Sequence, residues 1–282
     1  MTGHLSLGTR QFDLSRSIVM GILNVTPDSF SDGGQFDRVD QAVAHAMRMQ
    51  QDGADIIDIG GESMRPGARS VSAEQELERV IPVIRAIRRE STIPISIDTS
   101  KPDVMRTAVA AGADMVNDVN ALRAPAALQT CAELGVAVCL MHMQGEPRTM
   151  QQQPHYDDVV EEVIDFLRQR YQACLDVGID GDCIVLDPGF GFGKTLEHNL
   201  QLLDKLDAIC ALKLPLLVGI SRKSMLGAIL DKPVNERLYG GIAAMVIAHC
   251  KGARLFRVHD VAPSRDALAL CDALKSERRV AE

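Results

Sequence analysis

The chain has 282 residues, 46% of them hydrophobic and 24% charged, with a formal net charge of −8. Its length suits an α/β barrel of about 250 residues, while the acidic balance, 4% aromatics and absence of Trp argue against a nucleic-acid partner, which favours a basic face and stacking rings. No signal-peptide pattern and no apolar run near the ~18 residues of a membrane span is present, and seven cysteines without a C-x-x-C pair read as reduced thiols of a cytoplasmic protein with no membrane partner.

Along the chain, "IVMGILNV" is the first nearly continuous apolar run, as expected of a strand buried on both faces. The segment that follows it, "TPDSFSDGG", lacks the glycine fingerprint of an open dinucleotide-binding sheet. Next comes "DGADIIDIGGES", then a helix starting at Ser72 with Gln75 as capping-box partner and Leu77, Val80, Ile81, Ile84 and Ile87 on one face. Pro82 is expected to kink that helix or end a turn. "IPISIDTS", "AGADMVNDVN" and "LGVAVCLMHM" repeat the strand pattern, and a helix of about five turns is predicted between Asp157 and Gly178. "DCIVLDPG", "PLLVGISRK" and "KGARLFRVHD" complete eight strands. Gly53, Gly112, Gly135 and Gly252 stand directly before strands, where a helix closes on a left-handed residue. Eight β/α units without a linker predict one domain, residues 1–282, folded as a (β/α)8 TIM barrel with its site at the carboxyl ends of the strands.

The stretch "LDPGFGFGKTLEHN" imitates a phosphate-binding loop. Such a loop needs a Gly five residues before its Gly-Lys-Thr, and that position is Pro188, which has no N–H to offer. Lys194 is therefore read as a surface or loop-stabilising charge.

Polar residues close every strand: Asn24, Glu62 with Ser63, Asp98, Asn117, His142, Asp187, Arg222 with Lys223, and Arg257 with His259. One carboxylate at a strand end also suits a helix cap, but eight polar ends together point to a site. Asp98, Asn117, Asp187 and Lys223 supply the donors and acceptors that read a flat nitrogen heterocycle. Asn24, Arg257 and His259, with Arg65, suit a phosphate. The histidines show no zinc-motif spacing, whereas Asn24 offers a hard oxygen for Mg²⁺ shared with substrate phosphates. His142, between two methionines, reads as a packed residue.

In order along nearly the whole chain, "GILNVTPDSFSDGG", "IDIGGESMRPGA", "SIDTSKP", "VNDV", "LMHMQG", "LDPGFGFGK", "LLVGISRKS" and "RVHDV" resemble the bacterial dihydropteroate synthases. That resemblance implies a barrel, usually dimeric, that joins 6-hydroxymethyl-7,8-dihydropterin pyrophosphate to p-aminobenzoate in folate synthesis, with sulfonamides competing for the aminobenzoate site. It carries the pterin pocket onto Asp98, Asn117, Asp187 and Lys223, with Asp98, Asp187 and Lys223 as the catalytic set. Pyrophosphate falls on Asn24, Met64, Arg257 and His259, with Mg²⁺ at Asn24. p-Aminobenzoate falls near Phe30, Ser63, Arg65, Pro66, Phe192, Lys223 and Ser224. The implied chemistry is dissociative: pyrophosphate leaves, and the aryl amine attacks a pterin-methyl cation. Met64 departs from the family pattern, which has a phosphate-binding Thr there. Two rival readings are a methyltetrahydrofolate-type methyltransferase barrel, against which the anion-binding residues speak, and a non-catalytic pterin-binding homologue, which Met64 alone favours.

Overall fold

In the computed structural model, which describes residues 3–26, 35–63, 70–146 and 149–280 (for 35–37 and 275–280 the backbone alone), eight parallel strands form a ring with helices outside it. The strands are β3 (Ile18–Asn24), β4 (Ile56–Gly60), β5 (Ile95–Asp98), β6 (Met115–Asp118), β7 (Ala137–Met141), β8 (Ile184–Asp187), β9 (Leu217–Val218) and β10 (Leu255–Val258). They are ordered β8-β7-β6-β5-β4-β3-β10-β9. A parallel bridge between Leu186 and Leu216 joins the two ends of that series, with the Leu186 N–H donating to Pro215 at 2.9 Å. The predicted barrel is the observed fold. Phe30, Met64, Arg65 and Pro66 lie outside the described residues.

Each crossover carries a helix: α1 (Gln35–Gln51), α2 (Ala73–Glu90), α3 (Pro102–Ala111), α4 (Ala127–Leu134) and α5 (Val159–Asp176) come first. Then α6 (Leu196–Asp204) and α7 (Leu206–Cys210) precede β9, α8 (Ser224–Leu230) and α9 (Leu238–Cys250) precede β10, and α10 (Val261–Val280) follows it. The capping box at Ser72 forms as expected, with the Gln75 N–H donating to Ser72 Oγ and the Ser72 N–H to Gln75 Oε1. Pro82 neither kinks α2 into two elements nor ends it; the helix continues to Glu90. Proline there forgoes one backbone bond, at a cost of about 3 kcal/mol, but Val80, Ile81, Val83, Ile84 and Ile87 are buried around it, and their packing outweighs that loss. The four helix-closing glycines take positive φ, from +59° at Gly135 to +119° at Gly112.

Strand residues alternate between the helix layer and the barrel interior. Toward the helices lie Val19, Leu23, Ile57, Ile59, Ile95 and Ile97, in one core with Val80, Ile84, Val104 and Leu167. Inside the barrel, at the amino ends of the strands, lie Ile18, Met20, Ile56, Met115, Ala137, Cys139, Val185, Leu217 and Leu255. A hairpin of β1 (His4–Leu7) and β2 (Arg10–Asp13), absent from the sequence reading, packs Leu5, Leu7, Phe12 and Leu14 against that inner cluster. It plugs the amino-terminal mouth with apolar side chains, so the polar interior faces the carboxyl ends. Among the described residues no helix is long and apolar enough to cross a membrane.

Candidate active site

The inward phase of β4 carries Ile56, Asp58 and Gly60, so the interior turns from apolar to charged within one strand. Asp58 is fully buried and faces Ser96 across the β4–β5 ladder; two pairs further along, Gly60 faces Asp98, which in turn faces Asn117 on β6. From β10, Arg257 reaches across the barrel and donates from Nε to Asp58 Oδ2 at 2.6 Å and from Nη2 to Asp98 Oδ2 at 2.8 Å. Asn117 donates its amide to the same Asp58 Oδ2 at 3.2 Å. The remaining oxygens, Oδ1 of Asp58 and of Asp98, are buried and accept no hydrogen bond from a described residue.

Electrostatics follow from that burial. Desolvation pushes Asp98 up to about 7, with Arg257 pulling it down and Asp58 pushing it further up. Desolvation alone would make Arg257 easier to deprotonate, but Asp58 and Asp98 outweigh it and hold the guanidinium above its ordinary range. Asn24, at the end of β3, sits across Gly60 from Asp98: a Cβ on that glycine would lie 3.7 Å from Asn24 Oδ1 and 3.8 Å from Asp98 Oδ2.

Asp187 ends β8, buried, with Oδ1 accepting from the Gly189 N–H at 2.7 Å. Burial raises its pKa, against the pull of nearby Lys223. Lys223 donates to the Phe190 carbonyl and holds its ammonium 4.7 Å above the Phe192 ring. Burial lowers this lysine to about 8, opposed by Asp187. The loop between β8 and α6 is pressed against the end of β7: a Cβ on Gly189 would come within 1.8 Å of the His142 carbonyl, and one on Gly193 within 2.3 Å of the Gln144 carbonyl. Both glycines have positive φ, so the loop needs them twice over.

Lys194 is not on the surface. It is buried, 2.8 Å from His142 Nδ1, and donates to the carbonyls of Gly189 and Phe192 at 3.0 Å each. Its loop-stabilising role is thus the observed one, and the "GKT" has a second function: Thr195 caps α6. His142 is packed as expected, its ring edge-on to Phe166.

Past the end of β10, Ser221 Oγ lies 3.0 Å from His259 Nδ1 and accepts from the His259 N–H at 3.2 Å. Arg222 is turned away onto Asp260, with Nε–Oδ2 at 3.1 Å, and Arg237 ties down the Arg222 carbonyl at 3.1 Å. Ser224 is the exposed first residue of α8. Glu62 and Glu76 share Lys101, which bonds Glu76 Oε2 at 2.5 Å, and Glu62 accepts from the Val71 N–H at 3.1 Å. That cluster ties Val71 to the end of β4, and with it Ser63, which follows Glu62 in the chain. Among the described residues no group of three or more His, Cys, Asp or Glu is arranged to hold a metal.

The structure therefore gathers Asp98, Asn117, Asp187, Lys223 and Arg257 at one end of the barrel, with Asn24 and His259 at neighbouring strand ends. The strand-end rule missed Asp58, Lys101 and Lys194. For Asp58 a signal existed: a charge in the inward phase of an otherwise apolar strand.

A model of the pterin binding enzyme family matches residues 20–259. The dihydropteroate synthase of Escherichia coli K12 is 52% identical over 266 residues, spanning 94% of each chain. The chain belongs to the dihydropteroate synthase family. Among solved structures, the dihydropteroate synthase of Yersinia pestis in complex with a sulfonamide drug superposes with a TM-score of 0.92 at 49% identity, covering 97% of this chain and 99% of that one. The dihydropteroate synthase of Xanthomonas albilineans with 4-aminobenzoic acid gives 0.91 at 50% identity, covering 98% and 99%. The expected family is thus the observed one, and dihydropteroate synthases share this barrel along almost their full length.

Proposed function

We propose that the protein, acting as one domain over residues 1–282, condenses 6-hydroxymethyl-7,8-dihydropterin pyrophosphate with p-aminobenzoate to give 7,8-dihydropteroate and pyrophosphate. The observation that carries this reading is the convergence of Asp98, Asn117, Asp187, Lys223 and Arg257 in the polar end of the barrel, with a buried Asp98 oxygen that no described residue satisfies. A carboxylate oxygen without a donor is costly unless a ligand N–H meets it, and a pterin edge is rich in such groups.

In this reading Asn117, Asp187 and Lys223 orient the pterin, and Asp98 lies beside the exocyclic methylene. The C–O bond to the diphosphate breaks first, and the Asp98 carboxylate stabilises the cation that develops. Arg257 and His259 take up the growing charge on the departing pyrophosphate. The aryl amine then forms the C–N bond and loses a proton. No covalent enzyme intermediate is required. Phe192 and Ser63 wall the p-aminobenzoate ring and Ser224 faces its carboxylate; the family resemblance assigns Phe30, Arg65 and Pro66, outside the described residues, to the same substrate. Sulfonamides, which share that aniline shape, compete there.

The residues present fit Mg²⁺ in one limited way. The protein offers a hard oxygen at Asn24 near Asp98 but no cage of its own, which matches an ion that completes its shell from substrate phosphates. Bound there, Mg²⁺ neutralises diphosphate charge. The apolar residues exposed on α8, α9 and α10, among them Ile229, Tyr239, Ile247, Leu270 and Leu274, support a homodimer formed through these helices. Seven free thiols, four of them buried, suit a reducing cytoplasm.

The direct test measures pyrophosphate release with both substrates, each alone, and after chelation of divalent cations. Release is expected to require both substrates and Mg²⁺, and to fall at least a hundredfold in Asp98→Asn and Lys223→Ala, on the order of one lost transition-state donor or charge. Pterin binding without any release would overturn the reading in favour of a non-catalytic homologue.

A further inference from the structure

We propose that Asp58 is a positioning residue of this site: its carboxylate, inside the barrel, holds Arg257 and Asn117 in a single bonded arrangement, so that the diphosphate-reading and pterin-reading groups are placed relative to each other. The inference rests on the roles given above to those two residues.

Three observations carry it. First, Asp58 is fully buried directly above the apolar inner cluster of Met20, Met115, Cys139 and Val185. Packing alone would be served by another aliphatic residue, and a buried carboxylate is retained at a desolvation cost that its partners must offset. Second, both donors meet one atom. Arg257 Nε at 2.6 Å and Asn117 Nδ2 at 3.2 Å converge on Oδ2, so neither can move without disturbing the other's acceptor. Third, the Arg257 fork is divided between adjacent strands: Nε faces Asp58 on β4 and Nη2 faces Asp98 on β5. Two fixed nitrogens set the plane of the guanidinium, and no described residue accepts from Nη1, which is left for an anionic ligand. Without Asp58 the fork would be free to turn wholly onto Asp98, pairing with the carboxylate that the proposed reaction needs beside its cation.

The consequence is energetic coupling between the two halves of one substrate. Asparagine at position 58 can keep an oxygen where Oδ2 lies and accept the same two bonds, but carries no charge. Leucine removes both. With the full-length enzyme, Asp58→Asn is expected to lower kcat/KM for pterin pyrophosphate by about ten- to a hundredfold through both constants, with KM for p-aminobenzoate within about twofold; Asp58→Leu is expected to lower it further. In calorimetry, inorganic pyrophosphate and 6-hydroxymethylpterin, used separately as probes, should each bind Asp58→Asn several-fold more weakly. A variant that leaves Asp58 in place supplies the independent readout. Asn117→Ala, although it alters the pterin reader, should weaken inorganic pyrophosphate by about two- to tenfold, because it removes a donor from the oxygen that also holds Arg257.

Wild-type affinity for both probes in folded Asp58→Asn overturns the proposal. So does unchanged pyrophosphate binding in Asn117→Ala, or a loss in Asp58→Asn that strikes p-aminobenzoate and pterin constants alike in proportion to a lowered melting temperature. Failure of the functional reading itself is separate: it shows as wild-type enzyme that releases no pyrophosphate.

Discussion

Nζ of Lys194 lies 2.8 Å from Nδ1 of His142, both side chains buried. Burial and the neighbouring lysine depress His142 to about 2, so the imidazole is neutral and its Nδ1 accepts. The lysine thus bonds a ring nitrogen and two loop carbonyls at once, filling the centre of the turn, and the same burial pushes its own pKa well below the ordinary lysine range. Replacing it by methionine keeps the stem and removes every donor. Lys194→Met is expected to lose about 2 to 5 kcal/mol of stability in urea denaturation, since several buried acceptors lose their partner. In whatever fraction stays folded, KM for p-aminobenzoate should rise more than KM for the pterin, because Phe192 is set by this loop.

As an ammonium Lys223 carries a charge and three donors, and burial lowers its pKa to about 8. The charged form prevails below that value and is lost above it, so kcat/KM for pterin pyrophosphate is expected to fall with a slope of one above about pH 8. In Lys223→Arg the cation persists to much higher pH, and the falling limb should disappear even if the rate is lower. A limb that stays at the same pH in that variant would assign it to another group.

The family resemblance assigns position 64 a threonine hydroxyl for phosphate, and the thioether of Met64 has none to donate. A hydrogen bond to a charged group contributes roughly 1.5 to 3 kcal/mol. Met64→Thr is therefore expected to tighten pterin pyrophosphate by about ten- to a hundredfold, read from KM and from competition by inorganic pyrophosphate. The sulfonamide inhibition constant should shift as well, since position 64 adjoins the residues assigned to the aminobenzoate site.

On α10, Leu270 is 65% exposed and Leu274 58%, and on α9, which packs against α10, Ile247 is 46% exposed. Isolated exposed leucines are ordinary, but large apolar side chains exposed on two packed helices suit an interface. Sedimentation equilibrium should give twice the chain mass for the wild-type protein, and Leu270→Glu with Leu274→Glu should bring it to the monomer. A wild-type monomer at micromolar concentration would remove the homodimer from the proposal.

Much of this molecule was legible from residue order. Strands such as "IVMGILNV" and "IPISIDTS", buried on both faces, are apolar almost throughout, and each helix-closing glycine marks the place where the chain turns back to the sheet. Because strand ends in a parallel barrel point to one mouth, reading the polar residues at or beside each strand end picked out Asp98, Asn117, Asp187 and Arg257, which the structure brings together. The same rule passed over Asp58, since it looks only at ends and this carboxylate sits two residues before one. It also placed Lys194 partly at the surface, because lysine is rarely buried and nothing local shows that three acceptors converge on it.

The chain by itself determined its β/α periodicity, its strand-end chemistry and its family, all of which are local patterns or ordered motifs. The tertiary structure decided which charges face one another. Arg257 and Asp58 are 199 residues apart and lie on strands separated by β3 in the ring, so their pairing depends on barrel closure and register. The hairpin that plugs the amino-terminal mouth was likewise invisible, because its short alternating strands acquire a meaning when an apolar cavity is there to receive Leu5, Leu7 and Phe12. Pro82 makes the same point in reverse: a local rule predicts a kink or the end of a turn, and α2 runs on through it to Glu90 with one face packed in the core.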